Sequence, residues 1–218
     1  MPLSLKDLKV FVATPCMGTF PVQTLCSYID TQEECLKAGI DVEFGFASCS
    51  LVHQARTLLG WTFLQKDRNR LFWIDSDMQW KAETFIKVLE HSLKHECVVG
   101  VYPRRSDPPG YFVRFTDPKK DPDADGLVEI DATGLGFACI NRGVMVHLAN
   151  LAPKLRYPFS TERVPQLFRC DDNGDEDRGE DYAFWSDVKD AGYKIYADCN
   201  ADLGHVGTKV YRCAAFGK

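Results

Sequence analysis

Trp73-Ile74-Asp75-Ser76-Asp77-Met78-Gln79-Trp80, WIDSDMQW, follows Leu71 and Phe72, so that an apolar run ends in two carboxylates one residue apart. Four large apolar residues in succession read as a strand buried on both faces. The charges then mark where that strand leaves the core at its carboxyl end. In an open α/β sheet this is the edge at which ligands bind. Two carboxylates there can hold a hard divalent cation through oxygen, and such a cation would neutralise a diphosphate. The competing reading is an acidic turn in which Ser76 or Asp77 caps the next helix.

Working outward, Val10–Thr14 is a β-branched run stopped by Pro15 and Gly18, a first buried strand. Helical character from Val22 to Ala38 ends at Gly39. Strands at Asp41–Phe46 and Leu71–Ile74 flank a helix over Leu51–Gln65, and a helix at Glu83–Lys94 precedes a strand at Cys97–Tyr102. This alternation predicts right-handed βαβ units on a largely parallel sheet. Residues 103–126, with five prolines and many charges, break the rhythm as a loop over a site does. Strands follow at Leu127–Ile130 and Gly136–Ile140, with a short helix at Gly143–Asn150 and an irregular excursion over 151–178. A helix at Asp181–Ala191, a strand at Ile195–Ala197 and a glycine-punctuated tail close the chain. The expected organisation is one domain over 1–218, with a nucleotide-binding half (1–102) and an acceptor-binding, catalytic half (103–218).

The 218 residues, 45% of them apolar, can enclose a substantial core. A net charge of −5 gives no general basic field, which argues against a protein that grips nucleic acid by its phosphates. The nine cysteines (16, 26, 35, 49, 97, 139, 170, 199 and 213) form no CxxC pair and are odd in number, which fits a reducing cytoplasm. Nothing approaches the ~20 apolar residues of a membrane span, so the expectation is a soluble, unprocessed chain.

Six segments in order resemble the GT-A glycosyltransferases: VATPCMG (12–18), SLVHQARTLLG (50–60), FWIDSDMQW (72–80), TGLGFACINR (133–142), GEDYAFWSDVKDAGYKIYADC (179–199) and LGHVG (203–207). The resemblance covers most of the chain and is greatest to the small single-domain enzymes of large DNA viruses and bacteria. It implies a GT-A, Rossmann-like fold, with a mostly parallel central sheet flanked by helices and an acceptor-side region of mixed strands and loops. It also implies an inverting transferase that moves a sugar from a nucleoside diphosphate, UDP above all, to a hydroxyl of a glycan or glycoconjugate with the help of Mn²⁺ or Mg²⁺.

By that resemblance Asp77 and His205 are direct metal ligands, and Asp75 meets the ribose or a metal-bound water. Thr14, Pro15 and Cys16 form the nucleotide-contacting loop, with Ser76 inside the acidic motif. Arg56 approaches the pyrophosphate or the aspartates, and one of Arg104 and Arg105, with Arg104 preferred, meets donor phosphate. His205 stands between glycines in a flexible setting that lets its ring swing toward a metal. Asp181, then Glu180, is the candidate base; adjacent helix residues diverge by about 100°, so one of them faces the acceptor. The bland alternative is that both carboxylates complement the helix dipole.

Gly134 and Gly136 would let backbone approach a sugar, or simply shape a turn and strand. Phe159, Phe168, Phe184 and Trp185 could stack on sugar faces or pack the core. Alternating Asp171, Asn173 and Asp175 suggest a calcium loop, but Glu176 stands where the EF-hand needs glycine. Two rival functions are a haloacid-dehalogenase-type phosphatase and a catalytically silent sugar-binding module. The phosphatase family carries its acidic pair on the first strand, followed by threonine or valine where Gln79 stands.

Overall fold

The computed structural model describes residues 3–108, 110–172 and 174–212. Cys213 and Asn173 lie outside the described residues. In chain order the elements are β1 (Lys9–Cys16), α1 (Val22–Ala38), β2 (Asp41–Ser48), α2 (Val52–Leu64), β3 (Arg70–Ile74), β4 (Met78–Trp80), α3 (Ala82–His91), β5 (Cys97–Gly100), β6 (Val113–Phe115), β7 (Leu127–Thr133), β8 (Phe137–Asn141), α4 (Arg142–Leu151), β9 (Lys154–Arg156), β10 (Arg163–Pro165), β11 (Asp171–Asp172), β12 (Asp177–Arg178), α5 (Glu180–Asp190), β13 (Ile195–Asp198), β14 (Leu203–Val206) and β15 (Val210–Tyr211).

The central sheet has eight strands in the order β2-β1-β3-β8-β5-β13-β7-β6. β2, β1, β3, β5, β13 and β6 run one way; only β8 and β7 oppose them. The expected parallel sheet is therefore present, with one feature that the alternation did not carry: β8 sits between β3 and β5, antiparallel to both.

Alternate residues of each strand feed two cores. Phe11, Ala13, Leu71, Trp73 and Ala138 pack on one face; Val10, Val12, Phe72, Ile74 and Cys139 pack on the other. Burial on both faces is why these strands read as unbroken apolar runs. α1 ends where Gly39 takes a left-handed φ of 73°, a conformation that glycine adopts without steric cost. The open C-terminal carbonyls of α2 are closed by Arg142, whose guanidinium donates to Leu64 O at 2.8 Å and to Lys66 O at 2.9 Å.

A second, three-stranded sheet, β15-β14-β4, stands beside the carboxyl end of β3. Ser27 Oγ donates to Trp80 O at 2.7 Å and Trp80 Nε1 donates to Thr31 Oγ1 at 2.8 Å, which pins β4 to α1. The 151–178 excursion contains two small antiparallel hairpins, β9–β10 and β11–β12. Phe168, Phe184 and Trp185 are fully buried and pack the core, so they cannot stack on a sugar. Phe159 stacks on Tyr157, with centroids 4.9 Å apart.

Candidate active site

The site is built where β3 stops. A turn over Asp75–Met78 is closed by Met78 N donating to Asp75 O at 3.2 Å, and Asp75 N donates across to Gly136 O at 3.1 Å. The two carboxylates thus stand at the carboxyl edge, 27% and 25% exposed for Asp75 and Asp77, with Ser76 half-buried between them.

His205 reaches this edge through strand register. β14 pairs antiparallel with β4, and His205 lies opposite Met78, while Val206 N donates to Asp77 O at 2.7 Å. The flexible tail expected around His205 is therefore a paired strand. Pro103 O lies 3.0 Å from His205 Nδ1. A carbonyl only accepts, so Nδ1 carries a proton, and Nε2 is left facing Asp77 Oδ2 at 3.3 Å, to which it donates when it too carries a proton. A hydrogen bond of this kind on the far nitrogen is how proteins orient a ligating imidazole. Burial alone would raise the carboxyl pKa of Asp77, but His205 and then Arg105 outweigh it and hold the group below its ordinary value.

Asp75 faces away from that pair toward Arg56. Arg56 is 2% exposed and donates from Nη2 to Asp75 Oδ1 at 2.9 Å and from Nε to Glu180 Oε1 at 3.3 Å, with Asp181 Oδ1 3.4 Å from Nη2. Its guanidinium lies 5.4 Å from the centroid of the Trp73 ring. Of the two partners expected of it the arginine takes the acidic motif, through Asp75, and it is buried, not a solvated helix residue. It is a buried clamp that gathers three carboxylates from β3 and α5. Among the described residues no three ligating side chains converge as a metal cluster, and Asp75 stays on Arg56. The side-chain atoms that could hold a hard cation are Asp77 Oδ2 and, once it is without a proton, His205 Nε2, an incomplete shell that ligand oxygens and water would have to fill.

Glu180 and Asp181 open α5 after Gly179. Burial pushes the Asp181 carboxyl up to about 7, with Arg56 pulling the other way and Glu180 and Asp75 adding to the rise. Burial likewise raises Asp75, against Arg56.

Several expected contacts fall elsewhere. Thr14 is fully buried, its hydroxyl hydrogen-bonded to Tyr28, and Pro15 is buried too; only Cys16 of that trio is part-exposed. Strand β1 continues through all three, so the predicted loop begins later. Arg104 turns away from the acidic turn: its Nε donates to Tyr111 O at 3.1 Å and its guanidinium lies 3.8 Å from the Phe112 centroid. Arg105, by contrast, turns to the acidic pair, with Nη1 3.1 Å from Asp77 Oδ2.

Gly134 and Gly136 make room for Tyr102. A Cβ on Gly134 would stand 2.0 Å from Tyr102 Oη, and one on Gly136 would stand 2.7 Å from its Cζ. Gly136 N donates to that hydroxyl at 3.1 Å. Sequence reasoning missed Tyr102 and the Pro103 carbonyl; their only signal was their place at the carboxyl end of a buried strand. In the acidic hairpin, Asp171 pairs with Arg169 and Arg178 at 3.0 and 2.9 Å.

No protein-family description and no curated protein matches this sequence. Solved structures do resemble the fold. The crystal structure of A197 from STIV is 23% identical, with a TM-score of 0.61 over 92% of this chain and 86% of that one. The crystal structure of GalNAc-T7 with UDP, GalNAc and Mn²⁺ is 12% identical, with a TM-score of 0.59 over 96% of this chain. The chain spans 45% of the GalNAc-T7 chain. The fold is GT-A-like. No helix among the described residues is long and apolar enough to cross a membrane.

Proposed function

We propose that the chain is an inverting glycosyltransferase that takes a sugar from a nucleoside diphosphate donor, UDP-linked in the first instance, to a hydroxyl of a glycan or glycoconjugate. The observation that carries this reading is the pairing of β14 with β4, which sets His205 Nε2 3.3 Å from Asp77 Oδ2 at the end of β3. A divalent cation held by Asp77 and His205, Mn²⁺ or Mg²⁺, would offset the charge that builds on the departing diphosphate. GalNAc-T7, which shares the fold, was crystallised with UDP and Mn²⁺.

The chain's own residues do the rest. Asp181 accepts the proton of the acceptor hydroxyl as that oxygen bonds to the anomeric carbon, and the bonding pair between sugar and diphosphate leaves with the diphosphate. A carboxyl near 7 suits this work, because a base is most effective when its pKa is close to the working pH. Arg56 positions Asp181 and Glu180 without touching substrate. Asp75, held on Arg56, contributes negative charge and an oxygen open to a ribose hydroxyl or a bound water. Cys16 and Ser76 are the nucleotide-side contacts that remain exposed enough to serve.

The test is a screen of nucleotide sugars for binding and slow hydrolysis with and without Mn²⁺, followed by NMR of the product's anomeric proton. UDP should bind more tightly with Mn²⁺, and the product's anomeric configuration should be opposite to the donor's. Equal UDP affinity with and without divalent ions removes the metal from the reading; retained configuration removes the single displacement.

A further inference from the structure

Two arginines divide the acidic pair between them, and they differ in kind. Arg56 is 2% exposed and bound to Asp75, Glu180 and Asp181 together. Arg105 is 51% exposed and meets the acidic pair only through Asp77 Oδ2, the oxygen that His205 also faces. A buried guanidinium gripping three carboxylates is a fixture. An exposed pair of this type shifts an equilibrium by about fivefold at most, so it exchanges readily.

The loop that carries Arg105 is tied down on both sides of it. Pro103 O accepts from His205 Nδ1 at 3.0 Å, and Lys209 Nζ donates to both oxygens of Asp107 at 2.8 and 2.7 Å. Between these ties the Arg105 stem crosses Gly207, where a Cβ would stand 3.0 Å from Arg105 Cδ. The backbone is anchored while the guanidinium is the movable part.

Resting on the proposed function, we infer that Arg105 is an exchangeable counterion. It neutralises Asp77 in the metal-free protein and gives way when a divalent cation takes Asp77 and His205. It then turns to the donor's diphosphate, for which a guanidinium is a bidentate partner. Because arginine stays charged at every working pH, the exchange is a competition between cations and not a titration. Arg104 cannot play this part, because its guanidinium is engaged by Tyr111 O and Phe112.

The experiment is Mn²⁺ binding to the full chain without nucleotide, followed by loss of the free-ion EPR signal, for the wild type, Arg105→Gln and Asp77→Asn. Removing the competitor should tighten Mn²⁺ by about three- to fivefold, the scale of one exposed ion pair. Arg105→Lys keeps the charge and should return Mn²⁺ affinity toward wild type. UDP titrated calorimetrically at saturating Mn²⁺ should bind Arg105→Gln about tenfold more weakly, because a charge-assisted contact is gone. Equal Mn²⁺ affinity in wild type and Arg105→Gln, or an unchanged UDP affinity, overturns the inference. If Asp77→Asn loses Mn²⁺ while Arg105→Gln matches wild type, the exchange alone fails. If Asp77→Asn binds Mn²⁺ as the wild type does, the metal role of Asp77 falls and the exchange falls with it.

Discussion

At the scale of single residues, Arg56 decides what its neighbours can do. Replacing it with methionine keeps the volume but leaves Asp75, Glu180 and Asp181 without their shared counterion. Removing one partner of a buried ion pair costs about 3–5 kcal/mol, and these carboxylates keep 15–27% exposure, which places Arg56→Met at the lower end. Urea unfolding should show the loss shrinking from pH 8 toward pH 5, where protonation relieves the repulsion. Asp181 carries the opposite signature from an ordinary ion-paired carboxylate. Its folded pKa is raised to about 7, so the folded state holds a proton that the unfolded chain releases at lower pH. The stability this group contributes is full below its unfolded pKa and is lost as pH rises through about 7. That dependence should vanish in Asp181→Asn. The same substitution should lower turnover by about 10²-fold or more while leaving UDP affinity unchanged; Glu180→Gln should be milder. A silent Asp181→Asn beside a dead Glu180→Gln would move the base by one residue.

Among elements, the glycines of the β7–β8 connection have a role that a substitution can isolate. Gly134→Ala drives a Cβ into Tyr102, and overpacking of this kind costs about 1–3 kcal/mol. Chemical denaturation should show that loss, with partial recovery on adding Tyr102→Phe, which removes the clashing oxygen but strands the Gly136 N–H. If Gly134→Ala is neutral, Tyr102 is not what the glycine admits. These contacts also explain what the sequence could and could not convey. α1 was legible from Val22 to Gly39 because its signals are local, and Leu71–Ile74 was legible because two-sided burial leaves a continuous apolar run. His205 as a strand residue was not, because β14 acquires its conformation only by pairing with β4, more than a hundred residues earlier. Nor was the burial of Arg56, whose partners lie 19 and 124 residues away. Arg104 and Arg105 are chemically equivalent in sequence; the Pro103–Tyr111 bridge and the stacking of Arg104 on Phe112 separate them.

For the whole molecule, the proposed division into a nucleotide half and an acceptor half does not divide the fold. β8 and β13 from the second half line β5, and β14 pairs with β4 from the first. We expect fragments 1–102 and 103–218, expressed apart, to show no dispersed amide spectrum by NMR. A first fragment that folds alone would mean that β3 and β5 find stable edges without β8.

That central strand also bears on how the chain is made. β3 and β5 are synthesised first, and the element that joins them arrives about forty residues after β5 ends. On the ribosome, β3 must therefore wait with an open edge beside the one it shares with β1. Open strand edges are templates for pairing with other chains. The interval before residue 141 emerges is the moment at which a nascent chain of this fold most needs shielding, and slowing translation there should raise the aggregated fraction.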